Sequence, residues 1–153
     1  MSQLTVKMGQ GKIDSVSDSF SRVLWRAENL ADQFIDASLS PLGLSSSLLG
    51  TLRMIIEEPG VSTAELARRA NVRPQSIAYA TGRLEHAGYI ERHPHPVHGK
   101  IVGIHPTPRA EAALGDGETA LAAAEERLLD GIAGRDRDTL VALLERVIAN
   151  AQG

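Results

Sequence analysis

Apolar residues recur at helical spacing along most of this chain. From Ser15 to Ser38 they fall at Phe20, Val23, Leu24, Ala27, Leu30, Ala31, Phe34 and Ile35, the stripe of an amphipathic first helix. Trp25 lies off that stripe, among Arg22, Asn29 and Asp32. A large ring outside the main apolar face is covered by another subunit, covered by a ligand, or simply left on the surface. Pro41 and Gly43 then break the pattern. Ser45 caps a second helix to about Glu57, whose inner face is Leu48, Leu49, Leu52, Ile55 and Ile56.

Pro59-Gly60 ends that helix, and Ser62-Thr63-Ala64-Glu65 has the form of a capping box. The third helix it opens is short, to about Ala70. Asn71-Val72-Arg73 makes a tight turn before Pro74, a residue suited to a first helical turn. The fourth helix runs to His86 or Ala87, with Gly88 placed to follow its C-terminus. Tyr89 to Arg92 and Ile101 to His105 are short β-prone runs on either side of a turn-rich loop, which predicts a hairpin. Thr107-Pro108 caps and starts a long helix. Its seam of Ala110, Leu114, Gly117, Leu121, Ala124 and Leu128 is spaced for packing on another helix. Gly115 and Gly117 should weaken it, with a bend or fraying there. After a break from Gly131 to Arg135, Leu140, Leu143, Leu144, Val147 and Ile148 make a last amphipathic helix.

Two short helices joined by a tight turn and followed by a hairpin make a winged helix-turn-helix. The fold class is therefore mainly α with a small β-hairpin. In such a module the second helix of the pair fits the major groove of duplex DNA, about 12 Å wide, and the hairpin reaches the backbone or minor groove. The fourth helix is patterned for that task. Ile77, Ala80, Thr81, Leu84 and Ala87 share one side, to pack on the domain. Gln75, Ala78, Tyr79, Gly82 and His86 share the other, with Ser76 and Arg83 at its edges. Gln75 can pair with adenine, Ala78 or the Tyr79 ring can meet a thymine methyl, and Arg83 is placed for phosphate. Gly82 costs about 1 kcal/mol against alanine in a helix interior; close approach to DNA explains that cost, and simple tolerance explains it equally.

Charge follows the same division. The chain carries a net −3, yet residues 62–100 hold Arg68, Arg69, Arg73, Arg83, Arg92 and Lys100 against only Glu65, Glu85 and Glu91. The basic surplus sits on the segment expected to meet phosphate. Aromatics are 3% of the chain, so the core rests on Leu, Ile, Val and Ala. There is no cysteine for disulfides, thiolate ligands or redox sensing. Residues 1–12 are polar, with Gly9 and Gly11, and read as a loose arm without a secretory h-region. No apolar stretch reaches the roughly 18 residues of a membrane helix. These features predict a cytoplasmic protein with no membrane partner. No nucleophile motif, phosphate loop or metal-hydrolase pattern points to an enzyme or a cofactor.

Leu44-Ser45 at the second helix, Pro59-Gly60, the run from Ser62 to Arg69, Arg83-Leu84-Glu85, Gly88 to Arg92, and Thr107-Pro108 occur here in series. In combination they resemble the MarR (multiple antibiotic resistance regulator) family of transcription factors, closely over residues 44–114 and by helix length and pattern outside it. The resemblance implies a homodimer whose first and last helices interlock. It also implies a pseudo-palindromic operator in double-stranded DNA, often near the regulator's own gene. DNA would be released when a small phenolic or other aromatic effector binds between the dimer and DNA-binding regions. On this pattern the chain divides into a flexible arm (1–12), a dimerisation helix (13–38), a winged helix-turn-helix domain (44–106) and C-terminal dimerisation helices (107–150). The DNA-contact set is then Thr63, Arg73, Pro74, Gln75, Ser76, Ala78, Tyr79, Arg83, His98 and Lys100. Trp25 and Met54 are the candidates for an effector pocket, with Phe20 and Phe34 as neighbours; for Met54, Phe20 and Phe34 a core role is the stronger reading. The expected activity is that of a ligand-responsive repressor.

Two departures from the family pattern matter. Its wing usually carries Asp-x-Arg, whose arginine enters the minor groove; here His98-Gly99-Lys100 stands in that place. Lysine keeps the charge without the planar fork, and His98 is no carboxylate partner, so a weaker or differently anchored wing contact is expected. Tyr79 replaces an arginine common in the family's recognition helix, so no operator sequence carries over. His93, His95, His98 and His105 also cluster around the wing. Imidazole suits zinc, which keeps a metal-responsive regulator as an alternative. Without cysteine or a clear carboxylate set, the favoured reading is a solvated loop whose charge rises below about pH 6.5. A winged-helix module that binds protein, with DNA binding lost, is the other alternative. The basic surplus and the polar outer helix face oppose it.

Overall fold

The computed structural model describes residues 19–94, 97 and 99–153. The expected arm, the first residues of the dimerisation helix, His95 and His98 lie outside the described residues. The elements in order are α1 (Phe20–Leu39), a 3-10 turn (Ser40–Leu42), α2 (Ser46–Glu57), α3 (Thr63–Arg69), α4 (Pro74–His86), β1 (Ile90–Pro94), β2 (Val102–Pro106), α5 (Ala110–Leu128) and α6 (Gly134–Gln152).

Local chemistry sets the boundaries. Ser45 Oγ accepts the Leu48 N–H and Ser62 Oγ the Glu65 N–H, each at 3.2 Å. Two α1 carboxylates reach the start of α2: Asp36 accepts the Ser46 N–H at 2.7 Å, and Asp32 accepts its hydroxyl at 2.5 Å. Negative charge there suits the positive end of the helix dipole. Asn71 (φ 51°) turns the chain from α3 into α4, and Gly88 (φ 75°) turns it out again. Only half of the capping box forms, because the Glu65 carboxylate faces Arg68 and Arg69 instead of turning back. Thr107 does not cap α5 through its side chain. Its hydroxyl donates to the Gly88 carbonyl at 2.7 Å, and the helix begins at Ala110.

One core lies beneath the helix-turn-helix. Leu48, Leu49, Leu52 and Ile55 of α2 meet Leu66 of α3, Ile77 and Leu84 of α4, and Ile90 and Ile104 of the hairpin. The strands pair antiparallel with Arg92 opposite Ile104. The loop before α3 adds an isolated bridge between Val61 and Ile104. The Ile104 N–H donates to the Val61 carbonyl at 2.9 Å. This ties the base of the wing to the start of α3.

The seam of α5 packs on α1 and α2, with Ala110, Gly117 and Ala124 buried. The fraying expected at Gly115 and Gly117 does not occur: α5 is continuous through both. Gly117 is a packing residue. A Cβ there would come within 3.1 Å of Leu44 Cδ1 and closer still to Leu49. In contrast, no residue of α6 is buried within one chain. Its Leu140, Val141, Leu143, Leu144 and Ile148 are exposed, as are Phe20, Val23, Leu24 and Leu30 on α1. Between these two helices lies an apolar groove of about 440 Å³, lined by Phe20, Val23, Leu24, Ala27, Leu140 and Leu144 among others.

Candidate nucleic-acid interface

Helix α4 presents two chemically distinct sides. Ile77, Ala80, Thr81 and Leu84 are buried against the domain. Ala87, expected to join them, is exposed because it is the C-cap, where the chain is already leaving the helix. Gln75, Ser76, Ala78, Tyr79, Gly82, Arg83 and His86 face outward. Tyr79 is 66% exposed, and Arg83 Nη1 donates to its hydroxyl oxygen at 3.3 Å. Nothing lies within 4 Å of the position a Cβ would take at Gly82, so the helix backbone can be approached closely there.

The remaining candidates surround this helix. Arg73 and Pro74 are exposed at its start. They border a shallow concavity of about 650 Å³ shared with Ala64, Arg68, Asn71 and Val72. Thr63 is half-buried at the first turn of α3, and Lys100 is exposed in the loop between β1 and β2. The fold thus carries seven of the candidates, Arg73, Pro74, Gln75, Ser76, Ala78, Tyr79 and Arg83, on or at the cap of one exposed helix, with Thr63 and Lys100 on flanking elements.

Side-chain pairing revises the count of available charge. Arg68 and Arg69 both donate to Glu65, at 2.6 and 2.7 Å, and Arg69 also pairs with Glu58. The hydrogen bonds from Arg68 and then Arg69 hold the Glu65 carboxyl down from 4.5 to about 2. The bonds to Glu58 and Glu65 in turn raise Arg69 above its ordinary range. Arg92 is a structural tie: its Nε pairs with Glu85 at 2.9 Å and its Nη2 donates to Thr81 Oγ1 at 3.0 Å. Of the six cations in residues 62–100, Arg73, Arg83 and Lys100 have no carboxylate partner among the described residues. Helical spacing marks the pairing of Glu65 with Arg68 and Arg69, but not the tie between Arg92 and Glu85.

His93 Nε2 lies 2.8 Å from Glu91 Oε1, and its ring meets that of His105 edge-on at 5.2 Å. Among the described residues no group of three His, Cys, Asp or Glu side chains is placed to hold a metal ion. Trp25 is 65% exposed on α1, and Met54 is half-buried against the core. Neither lines the groove between α1 and α6. Phe34 is half-buried beneath the Arg127 guanidinium, 4.8 Å from its ring centre, which is a packing role. Among the described residues no single helix is long and apolar enough to cross a membrane.

Comparison with known proteins agrees with this geometry. The MarR family model matches residues 42–101. The HTH-type transcriptional repressor Rv2887 of Mycobacterium tuberculosis is 32% identical over 125 residues, covering 82% of this chain and 90% of the repressor. The structure of the Mycobacterium tuberculosis MarR family protein Rv2887 in complex with DNA superposes with a TM-score of 0.69 at 30% identity, over 88% of this chain and 98% of that one. The structure of the same protein in complex with salicylic acid superposes with a TM-score of 0.68 at 30% identity and the same coverage. The relatives are transcriptional regulators, and the superposition extends over most of both chains. This chain belongs to the MarR family.

Proposed function

We propose that this protein is a ligand-responsive transcriptional repressor that binds pseudo-palindromic duplex DNA as a homodimer and has no enzymatic activity. The observation that carries the reading is the outer face of α4, where exposed Gln75, Ala78 and Tyr79 sit beside cations that have no carboxylate partner among the described residues. Residues 44–106 form the DNA-binding unit. Gln75, Ala78 and Tyr79 face base edges, and Arg73 and Lys100 face phosphate. Thr63, Pro74, Ser76, Arg83 and His98 complete the contact set.

The exposed apolar faces of α1 and α6 support the dimer. A chain that leaves Leu140, Leu143, Leu144 and Ile148 in solvent on one helix has an apolar surface that a second copy can cover. Residues 13–38 and 107–150 are the segments assigned to that contact. The known complexes of Rv2887 with DNA and with salicylic acid support a duplex target and a small aromatic acid as effector class. Trp25 and Met54 remain the proposed effector contacts.

A gel shift with the DNA upstream of the protein's own gene tests the reading. Selective binding that weakens steeply with salt is expected, together with release on adding salicylate. Failure to bind at low salt would instead favour a winged helix that recognises protein.

A further inference from the structure

Tyr79 and Arg83 stand one helical turn apart on the outer face of α4, joined by the 3.3 Å bond from Arg83 Nη1 to the Tyr79 hydroxyl. Chemistry fixes the direction of that bond. A guanidinium only donates, so the phenol oxygen accepts, and the phenolic O–H is left as a donor for something else. Arg83 has no carboxylate partner among the described residues, so its other N–H groups are also available. Nearby groups do not compete. Glu85 is occupied by Arg92, and the Thr81 hydroxyl donates inward to the Ile77 carbonyl. Gly82, next to Arg83, leaves open space on the same face. The outcome is two neighbouring donors, one from each side chain, on an open stretch of helix.

In the major groove one base alone sets two acceptors side by side. Guanine offers N7 and O6; adenine offers N7 beside a donor, thymine a single acceptor, and cytosine a donor. We propose that Tyr79 and Arg83 act together as one composite reader of guanine, each supplying one hydrogen bond. The proposal rests on α4 being the groove helix, and it moves Arg83 from the phosphate backbone to a base edge. Tyr79 holds the guanidinium in place, so that neither residue discriminates without the other.

The test starts with duplexes selected by the full-length protein from a randomised pool. Single-base variants of the selected duplex are then titrated with the wild type, Y79F, R83Q and the double variant. Each half-site should contain one guanine whose replacement weakens wild-type binding roughly tenfold. Y79F and R83Q should each lose that discrimination, and the double variant should lose no more than either alone. Both residues are exposed, and matching thermal melts confirm that the variants fold. Retention of the guanine preference by Y79F, which keeps the ring but not the hydroxyl, would overturn the composite reader while leaving DNA binding intact. Additive losses in the double variant would overturn it too. If the wild type selects no sequence at all, the composite reader and the proposed function fall together.

Discussion

Arg92 Nη2 lies 3.0 Å from the hydroxyl of Thr81, so the first strand of the wing grips the inner side of the recognition helix. Thr81 is fully buried, and Arg92 also holds Glu85 on the same helix. Arg92 therefore ties the wing to α4, in addition to the core packing of Ile77, Leu84, Ile90 and Ile104. T81V keeps the side-chain shape and removes both the acceptor for Arg92 and the bond the hydroxyl donates to the Ile77 carbonyl. It is expected to lower the unfolding free energy by about 1.5–3 kcal/mol, the range for a hydrogen bond to a charged group. Urea titration of T81V, R92M and the double variant checks this. The double variant should lose less than the sum of the singles, and strict additivity would show that the contact carries no energy.

Gly117 and Gly115 make a matched pair. Both replace a better helix former, which alone favours alanine by about 1 kcal/mol. At 115 the space is open, so G115A should stabilise the protein by up to that amount. At 117 a methyl would press on Leu44 and Leu49, so G117A should destabilise by about 1–3 kcal/mol through overpacking. Thermal melts that move in opposite directions support the close approach of α5 to α2. Parallel shifts contradict it.

Much of this arrangement was legible along the chain. Ser45 and Ser62 announce helix starts because a hydroxyl before an apolar periodic run satisfies a free N–H, and both do so here. The inner face of α4 followed from a period of 3.6, and the hairpin from two β-prone runs around a turn. Contacts between distant residues were not legible. Thr107 looks like a cap until the Gly88 carbonyl is brought beside its hydroxyl. Gly117 looks like a weak point until Leu49 lies against it. The Glu65 pairs with Arg68 and Arg69 follow helical spacing, but Arg92 looks like a phosphate ligand until folding sets Glu85 beside it, and Glu58 reaches Arg69 only in the fold. Local rules describe propensity, whereas pairing depends on which elements meet.

The apolar face of α6 should be an obligatory subunit contact. L140D and L144D each place a charge on an apolar surface that lines the groove with α1. The wild type is expected to sediment at twice the chain mass of 16.4 kDa, and the variants at that mass. Analytical ultracentrifugation reads this directly. Variants that stay dimeric would place the subunit contact elsewhere.

Acid should loosen α3 in a defined window. The Glu65 carboxyl is held down from 4.5 to about 2 by hydrogen bonds from Arg68 and Arg69. A depressed carboxyl contributes stability that is complete above its unfolded value and is lost as pH falls towards its folded one. Between about pH 4.5 and pH 2, the wild type should therefore lose stability more steeply than E65Q. Urea unfolding at stepped pH compares the two slopes. Parallel acid profiles would remove Glu65 from the account.

The central claim, that two copies of α4 enter successive major grooves on one face of a duplex, is tested most directly by hydroxyl-radical footprinting on a selected duplex. Two protected half-sites centred about 10 base pairs apart, or a multiple of that, are expected. Q75A should alter the base preference within each of them. A single protected half-site, or protection that Q75A leaves unchanged in sequence preference, would contradict the claim.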